Sequence, residues 1–164
     1  MTNYFDLHWL GRLDKDIHWP LIVYTKTEEY GGCYVYPANE EEVVDGKYYS
    51  LNKGLIIVSL LNDNNHPNFI INTIAHEWRH HYQYYKGWYK YRINRYWNEC
   101  EKYQTNIINY FNRLPQEMDA FLFSLKRYPD EVTLEWYEWL IKEHEEKHDK
   151  QHHRRTKADN GFKR

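Results

Sequence analysis

The stretch GLIIVSLLNDNNHPNFIINTIAHEWRHHYQYYKG, residues 54–87, decides how this chain is built. Its apolar run at 55–61 is short and rich in β-branched residues. Gly54 opens the run and Asn62-Asp63-Asn64-Asn65 closes it, which predicts a buried strand. Pro67 suits the first turn of a helix and Gly87 suits its stop, so a helix is predicted over 67–86. At 100° per residue, Ile71, Ile74, Ala75, Trp78, Tyr82 and Tyr85 line up on one stripe. His76, Glu77, His80 and Tyr84 fall on another. This helix has one face for a core and one for chemistry.

Upstream, residues 21–25 and 33–36 are short strand-like runs separated by Gly31-Gly32, and residues 48–51 follow the turn signal Asp45-Gly46. Downstream, helical patterning returns over 93–114, 115–127 and 131–147, with Pro115 and Pro129 at the breaks. Strands followed by helices predict an α+β fold, with a small twisted β-sheet in the N-terminal half and further helices after the one at 67–86. A length of 164 residues suits one core, so a single domain is expected over 1–147. The segment 148–164 offers little but Phe162 to bury and is expected to be a disordered polar tail, rich in His, Lys and Arg. His144, His148, His152 and His153 read as solvated rather than as ligands.

Composition removes several function classes. The net charge of −2 gives no field to draw in nucleic acid, and the basic run at 150–157 is short and lacks interleaved aromatic residues. No apolar stretch is long enough to span a bilayer, so no membrane partner is expected. Residues 1–6 do not open a signal peptide, and Cys33 and Cys100 belong to no CxxC pair; a cytoplasmic location is expected. An aromatic content of 18% points to a core and cleft built from large rings with polar tips.

The chemistry lies in His76-Glu77-Trp78-Arg79-His80. Histidines at i and i+4 project from one helical face, close enough for both imidazoles to meet one ion. Glu77 sits beside the first of them but is rotated away from the ion, which suits it to a water as general base. Neutral imidazoles suit one Zn²⁺ per chain, and three protein ligands would leave a fourth position open. In a chain this rich in His the five-residue pattern arises by chance with odds of roughly one in twenty. Chance does not also set it on an amphipathic helix directly behind a buried strand.

His76-Glu77-Trp78-Arg79-His80, with the strand before it, resembles the zincin superfamily of metallopeptidases. The resemblance covers about residues 55–127. It implies a twisted sheet whose edge strand, taken here as residues 55–61, holds an extended peptide or protein substrate above the active-site helix. It also implies hydrolysis of a peptide bond, with Glu77 as general base. The metzincin pattern is excluded, because Lys86 stands where its third His would be.

The gluzincins instead take a third ligand, a Glu, from a following helix. Asn98-Glu99 lies near the thermolysin-like spacing, and Glu101 follows on the same segment. Pro115-Gln116-Glu117-Met118-Asp119-Ala120 more closely resembles the Pro-x-Glu-x-Asp-Ala segment of small bacterial and phage-type gluzincin-like proteins. This favours Glu117 as the third metal ligand beside His76 and His80, with Glu99 and Glu101 as alternatives. Phe121 occupies the place where the thermolysin-like pattern has an acidic residue, which leaves Asp119 as a supporting or capping group. Tyr84 has the face to line the cleft, Arg79 points sideways toward a salt bridge, and His81 reads as a polar boundary residue. A different class of reading is a regulatory or binding protein holding a structural zinc; Glu77 argues against it, since such a site has no use for a base.

Overall fold

The computed structural model describes residues 17–26, 31–60, 66–88, 114–131, 133–135, 137–139 and 142. Five strands precede two long helices: β1 (Leu21–Thr25), β2 (Gly32–Val35), β3 (Glu41–Val44), β4 (Lys47–Ser50), β5 (Leu55–Ser59), α1 (Pro67–Tyr85) and α2 (Pro115–Arg127). Helical backbone recurs at described residues between 131 and 142. The fold is α+β, a small mixed sheet followed by helices packed together.

β5 is the centre of the three-stranded sheet and not its edge, which corrects the placement expected from the sequence. β1 pairs with it in parallel, Leu21 opposite Leu55, and β2 pairs antiparallel on the other side, Cys33 opposite Ile57. The physical reason is visible in the run itself. Every residue of β5 is buried, because alternate side chains go to different layers and both layers are covered. Ile56 and Val58 join Tyr34, Ile74 and Trp78 against α1, whereas Leu55 and Ile57 join Val23, Val44 and Leu51 on the opposite face.

Val44 and Leu51 come from the β3–β4 hairpin, which therefore closes that opposite face. Its turn is Asp45-Gly46, both at positive φ (51° and 75°), and Val44 pairs with Lys47 across it. Two residues at positive φ match the tight hairpin turn whose twist suits the flanking strands.

α1 is sandwiched between the sheet and α2. Asn72 donates to the Tyr128 carbonyl, Arg79 to the Asp119 carboxylate and Gln83 to the Gln116 carbonyl. Partners descend along α2 as they rise along α1, so the two helices run antiparallel. Ile71, Ile74, Ala75 and Trp78 are buried as the apolar stripe requires, but Tyr85, in the last turn, is exposed. His81 is fully buried and not at a boundary: its Nε2 donates to the His18 carbonyl at 2.6 Å and its Nδ1 accepts from the Tyr34 hydroxyl at 2.7 Å. Burial lowers the pKa of this ring to about 4.

Most of the segment expected to be helical over 93–114, with Glu99, Cys100 and Glu101, lies outside the described residues, as do the expected tail and its histidines. Among the described residues, no helix is long and apolar enough to cross a membrane.

Candidate metal centre

α1 supplies two donors by local geometry alone. His76 and His80 stand one turn apart, their Nε2 atoms 3.2 Å from each other. The third donor comes from the facing helix. Pro115 begins α2, so Glu117 lies in its first turn, where a carboxylate is favoured by the helix dipole. Antiparallel packing brings that turn alongside His76 and His80. Glu117 Oε2 is 3.4 Å from His76 Nε2, and Glu117 Oε1 is 3.4 Å from His80 Nε2. These three residues form a group that could hold a metal ion, and Glu117 and His80 are buried.

The separations test the fit. Ligand bonds of about 2.0–2.1 Å at tetrahedral angles place neighbouring donors about 3.3–3.4 Å apart. The two Nε2 atoms are 3.2 Å apart and each lies 3.4 Å from a different oxygen of the Glu117 carboxylate, spacings close to those between neighbouring ligands of one ion.

Electrostatics favour a cation there. Burial works to raise the Glu117 pKa, but the charge of His80 and hydrogen bonds from both imidazoles outweigh it and hold the carboxyl well below its usual range. Burial works to lower His80, yet the Glu117 carboxylate, by charge and by hydrogen bond, lifts it to about 9. The buried carboxylate and the two imidazoles thus make a site that favours a cation, which could be a proton or a metal ion.

Glu77 is buried beside the triad, against the sheet. Burial pushes its carboxyl above the ordinary range, opposed by His76, by His80 and by the Tyr34 backbone N–H that donates to it. β2 approaches very closely here. A Cβ at Gly32 would run into Thr73 Cγ2 and would lie 3.2 and 3.3 Å from Glu77 Cγ and Oε1. Only a glycine lets the strand pass so near the helix.

The remaining polar residues form a chain behind His80. Arg79 grips Asp119 with two hydrogen bonds, Nε to Oδ2 at 2.7 Å and a terminal nitrogen to Oδ1 at 3.2 Å. The Arg79 guanidinium also lies over the rings of Tyr82 and Phe123. Asp119 Oδ2 accepts from Gln83 Nε2 at 2.7 Å, and Gln83 Oε1 meets His80 Nδ1 at 3.0 Å. The salt bridge expected of Arg79 and the supporting place expected of Asp119 are both present. Gln83, Gly32 and Tyr34 were not singled out from sequence. The one available signal was Gln83 itself, a polar residue inside the aromatic run at 82–85, at i+3 from His80.

Tyr84, one turn beyond His80, packs on Tyr36 with ring centroids 5.3 Å apart, which continues a wall of tyrosines from β2 to α1. Compared with known proteins, the chain matches no family model, no curated protein and no solved structure.

Proposed function

We propose that the protein is a zinc-dependent peptidase, with His76, His80 and Glu117 holding one Zn²⁺ and Glu77 acting as general base. The observation that carries this reading is the grouping of His76, His80 and Glu117, the two Nε2 atoms 3.2 Å apart and each 3.4 Å from one Glu117 oxygen, with the buried Glu77 carboxylate beside them. Two neutral imidazoles and one carboxylate suit zinc and leave one coordination position open, the arrangement of a catalytic site and not of a closed structural one. Zinc supplies Lewis acidity there, polarising a carbonyl and bringing a water's pKa to about 7.

The chain's own residues do the rest. Glu77, with its carboxyl pKa raised by burial, takes a proton from the attacking water and returns it to the leaving amine. The Tyr34 N–H holds that carboxylate in place. Among the described residues β2 pairs only with β5, so its outer edge offers backbone groups to an extended peptide. β2 thereby takes the substrate-edge role expected of residues 55–61. The tyrosines Tyr36 and Tyr84 flank the path.

The test is a comparison of wild type with Glu77→Gln in zinc content and in cleavage of a broad peptide library. The variant should keep its zinc and lose turnover by at least about a hundredfold, the usual contribution of a general base. Equal cleavage by both proteins would remove Glu77 from the mechanism, and absence of cleavage by both would leave a metal-binding protein without peptidase activity.

A further inference from the structure

We infer that Gln83 is a positioning residue for the metal centre: it fixes His80 in the tautomer whose Nε2 lone pair faces His76 and Glu117, and it ties that ring to the helix carrying Glu117. The inference rests on the metal reading above.

A side-chain amide has one donor end and one acceptor end, so its neighbours decide which way it faces. Gln83 Nε2 lies 2.9 Å from the Gln116 carbonyl oxygen and 2.7 Å from Asp119 Oδ2. Both are acceptors, and Arg79 holds the Asp119 carboxylate in place with two hydrogen bonds of 2.7 and 3.2 Å. The NH₂ end must face α2. Oε1 is then the atom 3.0 Å from His80 Nδ1, and that contact is a hydrogen bond only if Nδ1 carries the hydrogen. A neutral His80 therefore keeps its lone pair on Nε2, the nitrogen 3.4 Å from Glu117 Oε1.

Gln83 has no solvent exposure, so water does not offer it a different set of partners. The same side chain spans the two helices. Its bond to the Gln116 carbonyl lies one residue from Glu117, so the spacing between the α1 ligands and the α2 ligand is set through it.

The experiment uses the full chain in three forms: wild type, Gln83→Met, and Ile56→Val. Methionine keeps the length of the side chain and removes both polar ends. Ile56→Val trims an apolar side chain of the core between the sheet and α1, leaves every polar group of the centre in place, and controls for general loss of stability. Zinc affinity is measured by competition with a chromophoric chelator, and the His80 ring protons of the zinc-loaded protein are observed by ¹H–¹⁵N NMR. Wild type should show an exchange-protected His80 Nδ1–H. Gln83→Met should bind zinc about ten- to a hundredfold more weakly and lose that protection, the usual effect of removing a group that orients a metal-bound His. Ile56→Val should keep both.

Zinc bound equally well by wild type and Gln83→Met overturns this inference and leaves the metal reading standing. An equal loss in Ile56→Val also overturns it, since the effect is then one of stability. If Gln83→Met does not fold, the wild-type spectrum alone decides: a His80 that carries its proton on Nε2 and coordinates through Nδ1 refutes the tautomer argument. Wild type that binds no zinc overturns both readings.

Discussion

Gly32→Ala is a one-carbon change whose cost follows from the packing of β2 on α1. The new Cβ would run into Thr73 Cγ2 and press on Glu77 at 3.2–3.3 Å. Gly32 lies in regular strand and has no positive φ, so backbone strain contributes nothing and space decides the outcome. Elsewhere in a compatible backbone, Gly→Ala gains about 0.4–1 kcal/mol by restricting the unfolded chain. Overpacking a filled interior costs about 1–3 kcal/mol. The collision involves a buried, β-branched Thr73 that has little rotamer freedom in a helix, so the second effect wins and the net loss should be about 1–2 kcal/mol.

The colliding atom can be removed separately. Thr73→Ser deletes Cγ2, and in that background Gly32→Ala should lose most of its penalty. The assay is urea unfolding of the four proteins of this double-mutant cycle, with a coupling of about 1 kcal/mol expected. Because Glu77 is also pushed, Gly32→Ala should slow the proposed hydrolysis by about a hundredfold, the scale of a 1 Å misplacement. An unchanged unfolding midpoint for Gly32→Ala, or the same loss with Ser at position 73, would refute the close approach of strand and helix.

Two further outcomes can be checked on the metal-free protein. His81 is held neutral in the folded state with a pKa of about 4, against 6.5 for an ordinary His. The unfolded chain therefore binds a proton below about pH 6.5 that the folded chain refuses until about pH 4. Stability should fall across that window by on the order of 3 kcal/mol. Denaturant midpoints measured from pH 7 to pH 4 should show this slope for wild type and a flatter one for His81→Gln; parallel curves would contradict it. Among the described residues Trp78 is the largest fully buried side chain, stacked on Phe123 of α2 and packed against the sheet, so Trp78→Ala should cost about 3–5 kcal/mol in chemical unfolding. A loss under about 1 kcal/mol would show that the three-layer packing is wrong.

What could be read from sequence follows local periodicity. α1 and α2 have the starts expected from Pro67 and Pro115, and α2 ends at Arg127 as its own pattern required. β5 was legible as a strand, and its lack of alternation already carried the message that both of its faces are covered. Placing it at an edge set that signal aside. β3 escaped because Glu41 and Glu42 mask a strand whose single fully buried residue is Val44.

His76 and His80 were legible as a pair because one helix turn sets their spacing. Glu117 joins them only through the antiparallel packing of two helices, a relation no local pattern encodes; resemblance to a Pro-x-Glu-x-Asp-Ala segment had favoured it over Glu99 and Glu101. The burial of His81 was likewise invisible. Its position on the helix surface says boundary, but the helix has partners on two sides and the Tyr34 hydroxyl and His18 carbonyl satisfy the ring there.

The central claim is that His76, His80 and Glu117 hold one zinc ion. X-ray absorption at the zinc edge on the stoichiometrically loaded wild-type chain tests it most directly, because it counts the ligands and identifies them. The account predicts a first shell of about four nitrogen and oxygen atoms near 2.0–2.1 Å, with the outer-shell scattering of two imidazoles. Sulfur at about 2.3 Å, which would bring in a cysteine, or scattering from three or more imidazoles, which would bring in other histidines, would contradict it.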